Sequence, residues 1–302
     1  MSLAADFIRT RPTSERTSLR AELEELWRYR ELLRQLVARE LKVRYKNSAL
    51  GFFWSIVPPL LQVLVYSYVF RSVLKVPADN YSAYLLCGLI PWTFISTAML
   101  DSSMSLLVNY PIIKKVYMPR EVIPLSYVLS NFIHMMLGWA VYFAAFFVVA
   151  RLLDIHIPIL ATLAWFPFIT LVLFCFVLGM SLWVSALNVF YEDVKFILQT
   201  LFNLLFFLLP VLYPADSVYY SHVMQAHPWL YKLYMLNPIT AIINAYRKTI
   251  LEPVPRGTQG LTGNPLPMDW GTFAGACLLS LLIAWGGYWY FNKRKWQFVE
   301  RP

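Results

Sequence analysis

Charge is what this chain has least of. Asp, Glu, Lys and Arg make 14% of its 302 residues, where a soluble domain carries about 25%. Apolar and aromatic residues fill the gap, at 59% of the chain. A single soluble core stops growing near this length, so this much apolar surface cannot all be hidden from water. That excludes a cytosolic globular enzyme and a disordered chain. Cysteine is scarce too. Cys87, Cys175 and Cys277 lie in apolar runs with no paired spacing, so they form no disulfide framework and read as small buried hydrophobes. The four histidines, His134, His156, His222 and His227, show no metal-ligand spacing. His134, the one well inside an apolar run, reads as a hydrogen-bonded packing residue. No phosphate-cradling G-x-x-x-x-G-K-[ST], no H-E-x-x-H and no G-x-S-x-G occurs. The chain therefore has no cofactor, metal or nucleotide site of its own that the sequence can point to.

Acids are missing from the apolar runs as well, with Asp101 the one exception. Carriers driven by protons or sodium use buried acids or broken helices at mid-membrane. Without them, uphill transport needs energy from another subunit.

What is present is a set of uncharged stretches long enough to cross a bilayer, which takes about 20 residues. They cover about 47–70, 83–108, 122–150, 157–187, 196–213 and 270–291. Six crossings put both termini on one side. With the N-terminus inside, 19 of the 26 Lys/Arg fall on the inner side, which places both ends in the cytoplasm. The first 50 residues hold eleven of these cations and no continuous apolar core, unlike a cleavable leader. A net charge of +9 concentrated beside apolar runs argues for membrane rather than nucleic acid. The fold class is thus all-α: a polytopic membrane protein with six transmembrane helices. Residues 1–50 form a cytoplasmic tail with an interface helix, and 51–302 form the transmembrane domain.

Three segments carry more information. Residues 19–46 read as one amphipathic helix, with Leu19, Leu23, Leu26, Leu33, Val37 and Leu41 on a stripe and with Glu24/Arg28 and Glu40/Arg44 as i,i+4 pairs. Its basic end, Arg39, Lys42, Arg44 and Lys46, meets the level of lipid phosphates. Ordinary phospholipid contact and binding of a pyrophosphate-bearing substrate both fit. Between runs two and three, Ile112–Met118 is bracketed by Pro111 and Pro119. It reads as a short helix, mixed apolar and basic, suited to a partner's groove or to a snorkelling loop. Residues 214–268 are too apolar for a solvated loop, and 217–226 and 238–251 read as short helices dipping back into the outer leaflet. Asn237-Pro238 marks a turn followed by a helix start. Aromatics crowd runs one and five. Phe202 and Phe206 fall at helical spacing away from the interfaces, facing either lipid or a pore in which rings stack on sugar faces.

Four blocks carry a family resemblance: LVARELKVRYKNSALGFFWSIVPPLLQVLVYSYVF, IIKKVYMPREVIPLS, LNVFYEDVKFILQTLFNLLFFLLPVLYP and LNPITAIINAYRKTIL. In this order, from about residue 30 onward, they resemble the membrane subunit of type-2 ABC exporters that move O-antigen, capsule or teichoic acid. The resemblance implies two copies around a channel. Each copy would bind an ABC ATPase subunit that carries the missing P-loops together with ATP and Mg. The substrate would be a glycan on polyprenyl pyrophosphate or a related lipid, entering from the cytoplasmic leaflet near runs one and five. Under this reading Arg39, Lys42, Arg44 and Lys46 attract the headgroup, and Trp54, Tyr66, Phe202 and Phe206 line the channel. Ile113, Lys114, Val116 and Tyr117 transmit ATPase closure, with 112–118 as coupling helix and 217–251 as outer re-entrant hairpin. The chain departs from the family's pattern at Glu192, where many members carry a basic residue, so a salt bridge at that position does not carry over. An exporter of small lipids or drugs, a membrane glycan or acyl transferase, and a structural scaffold are the alternatives.

Overall fold

The computed structural model describes residues 19–46, 57–69, 73, 81–115, 118–152, 161–251 and 268–299. Among these, every regular element is helical: α1 (Leu19–Arg28), α2 (Arg30–Tyr45), α3 (Val57–Tyr68), α4 (Tyr81–Val108), α5 (Tyr110–Lys115), α6 (Val122–Leu152), α7 (Phe166–Phe190), α8 (Val194–Leu208), α9 (Ala215–Tyr219), α10 (His222–Ala226), α11 (Pro228–Leu236), α12 (Pro238–Ile250) and α13 (Trp270–Arg294). Short 3-10 turns, Ala161–Trp165 and Lys295–Val299, precede α7 and follow α13.

Four helical stretches are long and apolar enough to cross a membrane: Tyr81–Val108, Val122–Ala145, Leu163–Phe190 and Trp270–Phe298. The expected fifth span is shorter than the apolar run suggested. At 1.5 Å per residue, the 15 residues of α8 reach only about 22 Å, against a hydrocarbon core of about 30 Å. Pro210 explains the stop. It forces the residue before it out of helical conformation, and Leu209 is extended at φ −88, ψ 158. Of the expected first span, α3 supplies 12 residues, and residues 47–56 lie outside the described residues.

The helix expected over 19–46 is two helices. Tyr29 leaves helical geometry at φ −91, ψ 14, and the Arg30 guanidinium donates to the Trp27 carbonyl at 3.2 Å beside the break. The buried face of α2 centres on Leu36 and Val37 and packs on α6, so this helix has a protein neighbour as well as whatever lies outside it.

The centre of the molecule is α4. Leu85, Cys87, Leu89, Ile95 and Ala98 are fully buried, and α3, α6, α7, α8 and α12 all pack on this helix. Such enclosure suits a helix with no polar face. Pro91 sits inside it. Around the proline, Thr93 donates to the Ile90 carbonyl at 2.9 Å and Ser96 to that of Trp92 at 3.0 Å, so hydroxyls help to satisfy the local backbone.

The backbones of α7 and α13 nearly touch. A Cβ on Gly179 would fall 2.7 Å from the Ala284 nitrogen, and one on Gly287 would fall 2.7 Å from the Gly179 carbonyl carbon. Ala276, Ser280 and Gly287 are buried on the same side of α13. Small residues permit this approach, and dispersion between close backbones then holds the pair together in an apolar solvent.

Two clusters complete the packing. At the end near the start of α4, Trp139, Tyr142, Phe143, Phe166 and Tyr246 stack edge to face and tilted. At the opposite, basic end, Leu106, Met118, Ile123, Leu182, Ala186, Phe291 and Phe298 form a separate small core, with Ile112 and Ile113 against it.

Candidate functional site: a charged cleft at the basic end

The basic end of α2 is wired to the spans. Arg44 pairs with Asp101 at 2.5 Å and donates to the Asn131 side-chain oxygen at 3.1 Å. Asn131 in turn donates to the same Asp101 oxygen at 2.9 Å. One turn earlier, Arg39 bonds Glu40 at 2.6 Å and donates to Asn109 at 2.6 Å. Asn109 donates to the Tyr127 hydroxyl at 3.1 Å. The i,i+4 pairing expected between Glu40 and Arg44 is therefore replaced: Glu40 takes Arg39, and Arg44 reaches across to α4. The reason is local. Asp101 is an acid in an apolar run, and a guanidinium with a planar fork is the partner best shaped to neutralise a carboxylate and an amide together.

Beside this network lies an open cleft of about 380 Å³ between the ends of α4, α6 and α8. Its polar lining is Asp101, Tyr127, Lys195 and Gln199, and its apolar lining includes Met104 and Phe196. Lys195 sits with its ammonium 4.8 Å from the Phe196 ring. The cleft thus combines an apolar wall with a cation and hydroxyl and amide donors at its rim, a fitting surface for a lipid with an anionic head. Lys42 and Lys46 are exposed nearby on the chain. Of the four expected headgroup residues, then, two are solvent-facing lysines and two are arginines already engaged in cross-links. Sequence reading missed Lys195 and Gln199. Their only signal was a cation and an amide one helical turn apart at the start of an apolar run.

The expected channel aromatics divide. Trp54 lies outside the described residues. Tyr66 and Phe206 approach each other at 6.1 Å between ring centroids, and α8 meets α4 through Trp92, whose ring lies 5.9 Å from Phe206 and 6.0 Å from Phe202. Phe202 is buried and Phe206 half-buried. The aromatic seam α3–α8–α4 therefore runs from Tyr66 through Phe206 to Trp92, a residue the sequence did not single out.

The short helix after α4 starts two residues before the expected Ile112. Pro111 suits its first turn, where a missing N–H costs nothing. Ile113 is half-buried on the small core, Lys114 is exposed with its ammonium 4.5 Å from the Tyr110 ring, and Val116 and Tyr117 lie outside the described residues.

At the far end, α12 starts as its sequence suggests, with the Asn237 side chain accepting from the Ile239 N–H at 3.0 Å. Its Arg247 went unnoticed in the sequence. It is 1% exposed and donates to the carbonyls of Pro210, Val211 (2.6 Å) and Tyr213 (3.3 Å). Its guanidinium carbon lies 3.7 Å from the centroid of the Tyr84 ring. A Cβ on Gly88 would meet it at 2.5 Å. The cation fills the electronegative pocket made by the carbonyls of the turn that follows α8, which have no helical partners. An arginine in an apolar stretch was the available signal. Nearby on α11, burial raises the pKa of the Tyr234 hydroxyl and keeps it protonated.

Comparison with known proteins follows this architecture. Residues 31–251 match the model of the ABC-2 type transporter family. The chain is 29% identical over 270 residues to the O-antigen export system permease protein RfbA of Klebsiella pneumoniae, covering 89% of this chain and 94% of that protein. It is 27% identical over 278 residues to the protein of the same name from Myxococcus xanthus, covering 92% and 98%. Against the polysialic acid transport protein KpsM of Escherichia coli, identity is 22% over 227 residues, covering 72% and 80%.

Proposed function

The chain belongs to the ABC-2 type transporter family of multi-pass, non-catalytic permease subunits, and on that premise we propose that it carries a lipid-linked polysaccharide across the bacterial inner or plasma membrane. The observation that carries this reading is end-to-end similarity to export permeases named for O-antigen and polysialic acid. The cleft at the basic end supports it independently, because a headgroup needs cations and donors beside an apolar wall.

In this proposal two copies pair around the path, and each binds one ATPase subunit that holds ATP and Mg. Residues 1–50 and both termini face the cytoplasm, and 51–302 form the transmembrane domain. Residues 47–70 make the first of six spans, and α8 with residues 209–213 makes the fifth. Helices α9 to α12 form the re-entrant hairpin of the outer leaflet. Lys42, Lys46 and Lys195 attract the pyrophosphate, and Arg39 and Arg44 hold the interface helix in register with the cleft. Trp54, Tyr66 and Phe206 give the sugar rings an apolar surface indifferent to their hydroxyl pattern, with Phe202 buried against Trp92. The segment with Ile113, Lys114, Val116 and Tyr117 receives the ATPase.

The test is ATP-dependent export in vesicles holding the permease with its ATPase. Changing Lys42, Lys46 and Lys195 to Ala should raise the lipid-linked glycan concentration needed for half-maximal export by roughly a hundredfold, from about 1 kcal/mol per lost charge. Export of small lipids with no glycan transport would overturn the substrate assignment, and an unchanged concentration dependence would overturn the headgroup role.

A further inference from the structure

The basic end holds a third ion pair, which neither the headgroup nor the channel uses. Glu121 stands immediately before α6, three residues beyond the small-core residue Met118. It is 5% exposed, and Lys295 donates to its Oε1 at 2.8 Å across 174 positions of sequence. Its other oxygen, Oε2, is buried with no hydrogen-bond partner among the described residues. Lys295 opens the 3-10 turn that follows α13, and its N–H still bonds the Phe291 carbonyl. The same turn is held by packing. Phe298 is 2% exposed, with ring centroids 5.3 Å from Phe291 and 5.9 Å from Phe190. The Arg120 guanidinium lies 5.5 Å from the Trp296 ring.

A surface ion pair would be ornamental at this spacing. This one differs on the acid's side, because Glu121 is buried and removing Lys295 strands its carboxylate away from water. The brace therefore joins two elements that no stretch of nearby sequence connects: the segment from α5 to the start of α6, and the end of α13. Through the Gly179–Gly287 crossing, α13 is in turn tightly packed on α7.

We propose that the Glu121–Lys295 pair is a positioning device for energy coupling: it makes the end of α13 the anvil against which a push on α5 is converted into movement of the spans. Resting on α5 as the ATPase contact, this inference adds the C-terminal turn to the coupling apparatus. Without the pair, a displacement of α5 is absorbed locally in the small core. With it, α6 and α13 must move as one body.

The experiment measures ATP hydrolysis and glycan export together in reconstituted permease–ATPase complex. Lys295→Met and Glu121→Gln should each lower export per ATP hydrolysed by about fivefold to tenfold, within the usual range of coupling between sites, while ATP hydrolysis and complex recovery persist. Lys295→Arg should retain coupling, and the exchanged pair Glu121→Lys with Lys295→Glu should regain a large part of it. If the brace only stabilised the fold, yield and hydrolysis would fall together at a constant ratio, and the proposal would be wrong. Should the singles fold poorly, the Arg variant against the exchanged pair decides, since a native ratio in neither also rejects it. Ile113→Asp on α5 separates the two readings. Uncoupling there with intact coupling in Lys295→Met defeats the brace alone, and no effect at either place defeats the role of α5 as well.

Discussion

Gly286 and Gly287 are neighbours in sequence with opposite duties, and replacing each by alanine should move stability in opposite directions. A Cβ at Gly287 would fall 2.7 Å from the carbonyl carbon of Gly179 and 3.0 Å from its Cα, whereas a Cβ at Gly286 meets nothing within 4 Å. Carbon atoms settle at about 3.5–4.0 Å, so α7 and α13 would have to part by roughly 1 Å to admit the methyl group at 287. No side chain can yield there, because the obstacle is backbone. Overpacking of this kind costs about 1–3 kcal/mol, with more where relaxation is blocked. At Gly286 the only change is helix propensity, a gain of about 0.5–1 kcal/mol. Thermal unfolding of purified protein in detergent, followed by loss of the monodisperse peak, should place Gly287→Ala several degrees below wild type and Gly286→Ala level with it or slightly above. Equal shifts for the two, or an unshifted Gly287→Ala, would refute the idea that a backbone crossing holds these helices.

Arg247→Lys keeps the charge and loses the fork. Carbonyls left unpaired cost about 1–3 kcal/mol each, so the variant should unfold earlier by that order, and thermal unfolding in detergent checks it. Asn237→Ala removes the side-chain acceptor at the start of α12. It should cost about 1 kcal/mol, read as earlier proteolytic cleavage in the α11–α12 connection with the spans still intact.

Much of the fold was legible because a membrane crossing is a compositional fact. The apolar runs at 83–108, 122–150 and 270–291 became α4, α6 and α13 within a few residues, since nothing but a helix satisfies a backbone in hydrocarbon. The Asn237-Pro238 helix start was equally local. What escaped reading was pairing. Arg44 looked like a partner for Glu40 because four residues separate them, and only the approach of α4 offers it Asp101. Glu121 and Lys295, 174 residues apart, carry no mark of their association in a single sequence. Arg247 was visible as a cation among apolar residues, yet its meaning depends on the turn after α8, where the carbonyls of Pro210, Val211 and Tyr213 converge on it. The α7–α13 crossing was hidden because one Gly or Ala in an apolar run looks like any other. In the cleft, the chemistry was half visible: the interface-helix cations stood out, and Lys195 and Gln199 did not.

The enclosure of α4 carries a consequence for how the protein is made. Of the helices that cover it, α6, α7, α8 and α12 all emerge from the ribosome later than α4 itself. During that interval its fully buried hydroxyl residues Ser102, Ser103 and Ser105 have no helices to shield them, and Asp101 is the most costly group to leave in lipid. The one helix that neutralises this acid, α2, is already synthesised, because Arg44 precedes it by 57 residues. Among the described residues, the Arg44–Asp101 pair is thus an ion pair the nascent chain can close before its later helices exist, and it supplies a counter-ion to a segment waiting in the bilayer for the rest of its bundle.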